Sequence, residues 1–128
     1  NNNVRRIWKG SEFKKGSFKN GWMPAHPTFY CKKKNYQKYC LYDDRFKIAG
    51  DFELMMRFLE NHNIKSKYIS KKLVKMKLGG ISNKSIKSKF LILNEEFKAF
   101  NKNEIKANKI VYILKKMKKL KEYKFFHY

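Results

Sequence analysis

Asp51 stands where a small-residue turn runs into an apolar helix: Ala49 and Gly50 precede it, and Phe52, Met55, Met56 and Leu59 recur behind it at helical spacing. Small residues at that point let a backbone or a ligand come close. A carboxylate fixed at a helix start and facing a cleft can take a proton from a hydroxyl. The same residue type in the same place is also a helix N-cap, and on the stretch from Phe46 to Met55 alone both readings stand. Two further blocks flank it. Upstream, Gly21 to Tyr30 carries Trp22 and His26, the histidine bracketed by Pro24 and Pro27; downstream, Val74 to Asn83 carries Gly79, Gly80 and Ser82. Arg57, six residues past Asp51, reads as a structural ion-pair partner.

The elements that must position these residues read as a mixed α/β set. Val4 to Trp8 is a short strand candidate, and Gly10 through Gly21 is a loop or irregular helix punctuated by three glycines. Each proline beside His26 removes a donor and restricts the residue before it, which forbids regular helix there. Thr28 to Cys31 then reads as a strand, Asn35 to Cys40 as a short helix, Asp43 to Ile48 as an extended connection and Asp51 to Asn61 as an amphipathic helix. Tyr68-Ile69 and Leu73 to Leu78 alternate as strands do, with Val74, Met76 and Leu78 on the buried face. Gly79-Gly80 ends that strand, Ser82 or Asn83 caps the next helix, and two helices run from Lys84 to Phe100 and from Glu104 to Lys121.

Length and composition bound the rest. A chain of 128 residues with 42% hydrophobic and 16% aromatic content is at most one domain with a modest core. Cys31 and Cys40 have neither the number nor the spacing of a disulfide framework or a zinc site, and both read as free buried thiols of a reduced cytoplasmic setting. No apolar run is long enough to span a bilayer, and the first residues do not read as a secretion signal.

The three blocks, with Tyr36-Gln37-Lys38-Tyr39-Cys40-Leu41-Tyr42-Asp43 between the first two, together resemble bacterial family 2 glycosyltransferases. The matching family pattern is a Trp-Met-Pro-x-His-x-x-Phe block, a Tyr-x-Lys-Tyr-Gly-x-Phe-Asp segment, Phe-Lys-Ile-Ala-Ala-Asp-Tyr-Glu before a helix, and Met-x-x-Gly-Gly-x-Ser. The resemblance runs from Val4 to Phe100 and implies the C-terminal, acceptor-side half of a GT-A fold: a short mixed sheet with helices, followed by C-terminal helices. Residues 1–100 are then that half-domain, and 101–128 a basic amphipathic helix with an aromatic tail. The family's donor-binding half and its Asp-x-Asp metal motif have no counterpart here, since Asp43, Asp44 and Asp51 are the only aspartates, and the start on Asn1-Asn2-Asn3 fits a fragment or a truncated gene product. Cys40 replaces a glycine of the family pattern, which strains the backbone if that corner needs a positive φ; Gly50 stands where alanine is common and Ala25 where a second proline is common.

The implied reaction moves a sugar, with inversion, from a nucleotide donor to an acceptor hydroxyl in cell-surface polysaccharide or glycolipid synthesis. The implied partners are a nucleotide sugar and a lipid-linked or saccharide acceptor. Asp51 matches the catalytic base, and His26 is a candidate ligand for a metal or a diphosphate oxygen. Trp22 is a platform for a sugar ring or a core residue, while Gly79, Gly80 and Ser82 form either a loop closing on substrate or a tight turn. The full-length enzyme would use a divalent metal, Mn or Mg, whose Asp-x-Asp site is outside this chain.

A net charge of +22 would ordinarily point to nucleic acid. Arg5, Arg6, Arg45 and Arg57 are the only arginines among 32 basic residues, and no nucleic-acid motif spacing is present, so nonspecific polyanion binding is the reading rather than a specific site. The C-terminal third uses the charge better. From Asn108, Ile110, Ile113, Leu114, Met117 and Leu120 form one apolar stripe, with Lys115, Lys116, Lys118, Lys119 and Lys121 around it and Tyr123, Phe125, Phe126 and Tyr128 behind. That helix either lies on an anionic membrane surface, which would make the protein peripheral at the inner face of the cell membrane, or packs its stripe on the domain and solvates its lysines. A noncatalytic membrane-surface or polyanion-binding domain is accordingly the alternative to the transferase reading.

Overall fold

The computed structural model describes residues 9–75 and 86–122. Among these residues four α-helices carry the architecture: α1, Lys33–Tyr39; α2, Gly50–Met56; α3, Ile86–Lys102; and α4, Lys109–Glu122. Two 3-10 turns, Phe18–Asn20 and His26–Thr28, precede them, and α2 continues directly into a π-helical turn, Arg57–Asn61.

The apolar spacing that marked α2 is the reason it forms the centre. Phe52, Leu54, Met55, Met56, Phe58 and Leu59 are all buried, so this short helix is covered on nearly every side. Rings from each element meet there edge to face. Phe18 of the first 3-10 turn meets Phe52 of α2 with centroids 5.5 Å apart, Phe52 meets Phe100 of α3 at 5.5 Å, and Phe100 meets Tyr112 of α4 at 5.2 Å. Such pairs contribute on the order of 1 kcal/mol each beyond the area they bury. Asn108 starts α4 by accepting from the backbone N–H groups of Ile110 and Val111 at 3.0 and 3.1 Å.

The α/β expectation, and with it the C-terminal half of a GT-A fold built on a short mixed sheet, is overturned: among the described residues there is no strand. Thr28 closes a 3-10 turn that the Pro24 to Pro27 stretch dictates, its backbone N–H donating to Ala25 at 2.8 Å, and the residues after it run irregularly into α1. Tyr68, Ile69, Leu73 and Val74 do lie in irregular, non-helical chain, but they are exposed, and among the described residues no segment pairs with them as a ladder. An alternating pattern marks a face that a strand would present; without a partner backbone it does not make a sheet. The expected strand at Val4 to Trp8, the end of the one at Leu73 to Leu78, the cap at Ser82 or Asn83 and the terminal aromatic residues lie outside the described residues. The helices fare better, with α1, α3 and the run of α2 with its π turn within two residues of expectation and α4 starting five later, because Asn103 to Ala107 form the turn between α3 and α4. The thiols depart too: Cys31 is half-buried and Cys40 exposed, and both are free. Among the described residues no helix is long and apolar enough to cross a membrane.

Candidate functional site

Asp51 is the second residue of α2, not its cap. The N-cap position is Ala49, with no side-chain cap bond. The three backbone N–H groups leading into the helix are held by Glu95 of α3: its Oε1 accepts from Lys47 N–H at 2.9 Å, and its Oε2 from Ile48 N–H and Ala49 N–H, both at 2.8 Å. Burial pushes the Glu95 carboxyl up, but the three amide donors outweigh it and hold it below its ordinary value. The helix entrance is thus anchored from across the core, and Asp51, already inside the first turn, is not the residue that caps it.

Two side chains converge on it. His26 Nε2 lies 4.0 Å from Asp51 Oδ2, both side chains remaining open to solvent at 49% and 38%. The Tyr42 phenol lies near the Asp51 carboxylate, and its partial burial, followed by its interaction with that carboxylate, pushes its pKa up to about 12. Tyr36 is raised as well, by burial first and then by Cys31 and Asp51. The site is therefore an accessible carboxylate with an imidazole at one side and a phenol at the other. It can accept a proton and hold hydroxyl groups in line.

The corner that delivers Tyr42 is built from α2 itself. Arg57 reaches back to the chain after α1: Nη1 donates to the carbonyls of Tyr39 and Cys40, and Nη2 to that of Leu41 at 2.8 Å. Its other contacts are to the fully buried Glu53 one turn earlier, with Nε to Oε1 at 3.0 Å. Lys102 Nζ closes the cluster, 2.9 Å from Glu53 Oε1 and 2.7 Å from Asp43 Oδ2. Burial pushes the Glu53 carboxyl up, and Arg57, Lys102 and Asn103 more than reverse it. The bonds from Arg45 and Lys102 hold Asp43 well below the usual carboxylate range. Arg57 is thus the structural ion-pair partner its spacing indicated. Cys40, within the corner, sits at φ 69 and ψ 155, a region that suits glycine, as its place opposite a family glycine implied. An open recess of about 490 Å³ lies against this corner, walled by Tyr39, Cys40, Leu41, Tyr42 and Arg57 among others; neither His26 nor Asp51 is part of its wall.

Trp22 is engaged in packing: its ring stands edge-on to Phe18 with centroids 5.5 Å apart and tilted on Phe13 at 5.7 Å, and its indole N–H donates to Ser11 Oγ at 2.8 Å. Gly79, Gly80 and Ser82 lie outside the described residues. The metal implied by the resemblance finds no home here, because among the described residues no three His, Cys, Asp or Glu side chains cluster, and His26 with Asp51 makes only two donors. Tyr42 and Tyr36 are the participants that the reading of single residues passed over, although both lie in the Tyr36 to Asp43 block; nothing in periodicity marks a phenol that turns toward a carboxylate.

Comparison with family models, with curated proteins and with solved structures returns no match for this chain.

Proposed function

We propose that this chain carries the acceptor-activating part of a sugar transfer, with Asp51 as the base. The observation that supports this most is the convergence of three separate sequence blocks on one carboxylate that does not cap its helix: His26 from the first, Tyr42 from the second and Asp51 from the third. In the reaction the acceptor oxygen attacks the anomeric carbon as Asp51 takes its proton. The bond to the nucleotide diphosphate breaks with its electron pair going to the leaving group. Tyr42 and His26 hold the carboxylate and the acceptor hydroxyl in register, which is a positioning role. No step is routed through a metal, since the described residues do not fit one.

The experiment is ligand-observed NMR on the chain with saccharide acceptors and with UDP-, GDP- and dTDP-sugars, then product detection by mass spectrometry. Saccharide binding that survives in Asp51→Asn but weakens in Tyr42→Ala is the expected result. Wherever transfer is seen, Asp51→Asn should lower its rate by about 10²–10⁴-fold, the range for a general base. A folded chain that binds neither saccharides nor sugar nucleotides refutes the reading.

A further inference from the structure

Helix α4 is mounted the unexpected way round. An amphipathic helix of a globular domain turns its apolar stripe to the core and its charges to water. Here the side facing the body is marked by Tyr112 and Lys116. Tyr112 packs on Phe97 and Phe100 with centroids 5.6 and 5.2 Å away, and Lys116 pairs with the Glu96 carboxylate. Lys115 is tied to Asn20 of the first 3-10 turn. At 100° per residue the opposite side is the one that carries Ile110, Leu114 and Met117, and these are 72%, 60% and 52% exposed. Lys118 is exposed beside them on the same helix, while the Lys109 ammonium sits over the Phe97 ring, so an aliphatic stripe is presented to solvent with a lysine at its edge.

We propose that α4 is a surface-docking helix that lies in the plane of an anionic phospholipid bilayer, with Ile110, Leu114 and Met117 in the acyl boundary and the ammonium group of Lys118 at the edge of the stripe among the lipid phosphates. The two chemistries on this helix select that occupant. Lysine ammoniums seek anionic oxygen and can reach up from an embedded helix on their long stems, while the aliphatic stripe seeks hydrocarbon. A nucleic acid would satisfy the lysines and leave the stripe in water. An apolar protein groove would satisfy the stripe and leave the lysines without partners. An interface of headgroups over acyl chains takes both, and the net charge of +22 draws the molecule toward it. Among the described residues no helix can cross the bilayer, so the contact is in-plane. This inference is independent of the sugar-transfer reading.

The test is sedimentation of the whole chain with large vesicles of phosphatidylcholine containing phosphatidylglycerol, against vesicles of phosphatidylcholine alone. Replacing Ile110, Leu114 and Met117 together by serine leaves the charge untouched, and because the three are exposed the fold should persist by circular dichroism. Partitioning onto the anionic vesicles should fall by roughly a hundredfold in that triple variant, given the aliphatic surface withdrawn. Lys118→Gln should cost about fivefold, the value of one lysine near such a surface. A triple variant that binds within tenfold of the parent would mean that bulk charge alone does the binding, and overturns the proposal. A second arm does not depend on the triple variant folding: a tryptophan at position 114, Leu114→Trp, should be quenched by brominated acyl chains. Quenching by aqueous acrylamide but not by those chains overturns the proposal, as does a dimer in light scattering that the serine triple dissolves, which would assign the stripe to a second copy of the chain.

Discussion

Glu95→Gln is the substitution that tests how the site is held. In the native protein one carboxylate accepts three backbone N–H groups, two at Oε2 and one at Oε1, at 2.8 to 2.9 Å. The amide can keep its carbonyl oxygen at the Oε2 position and retain the bonds from Ile48 and Ala49. Its NH₂ then occupies the Oε1 position and faces the N–H of Lys47, donor against donor. Two bonds lose charge assistance, at about 1 kcal/mol each, and a third is lost with its donor left unpaired, about 1–2 kcal/mol, so the variant should be about 3 kcal/mol less stable at neutral pH. Urea denaturation monitored by circular dichroism measures this through the midpoint at constant slope. The pH dependence supplies the second half. The Glu95 carboxyl is held below its ordinary value, so the parent's advantage is fully present above the ordinary carboxylate pKa near 4.3 and is lost as pH falls through the lowered folded value. A loss under about 1 kcal/mol at neutral pH, or a loss that does not shrink in acid, would refute the view that Glu95 anchors the entrance of α2.

Other expectations rest on the same physics. Cys40→Gly should raise stability by about 1 kcal/mol in urea denaturation, because the strain of a β-carbon at φ 69 exceeds the extra freedom glycine brings to the unfolded chain, whereas Cys40→Ala should give no gain. Gly50→Ala should stabilise by about 0.5 kcal/mol, since an added β-carbon meets Tyr42 at an ordinary 3.6 Å on a helical residue; a fall in melting temperature would count against it. Acid should unfold the protein cooperatively: Asp43, Glu53 and Glu95 all have lowered pKa values, so their contribution is intact above about pH 4.5 and is lost below it, a trend an acid titration by circular dichroism checks directly.

How much of this was legible beforehand depends on the range of the interaction. Helical periodicity is local, so α2 and α3 could be read from Phe52, Met55, Met56 and Leu59 and from the apolar spacing before Phe100. Strand alternation is local too, but a strand exists only by its partner, and nothing in Tyr68, Ile69, Leu73 or Val74 says whether one is present. Asp51 could be singled out, yet the way the entrance of its helix is held could not, because the residue that anchors it, Glu95, is 46 positions beyond Ala49. The stripe on α4 was plain in the sequence. Which way it faces was not, since that depends on Tyr112 finding Phe97 and Phe100 and on Lys116 finding Glu96. The strained corner at Cys40 was foreseeable only by comparison with a pattern that has glycine there.

Asp51 and Arg57 ride on one continuous stretch of backbone, α2 and the π turn that extends it. Arg57 holds the carbonyls of Tyr39, Cys40 and Leu41, and the next residue in that loop, Tyr42, lies near Asp51. The carboxylate and its phenol are therefore fastened to the same lever, one directly and the other by a strap. When α2 rocks against α3 or the ring ladder breathes, both ends of that short closed circuit travel together, and the spacing between acid and hydroxyl is conserved through motions that would tear apart a pair mounted on separate elements.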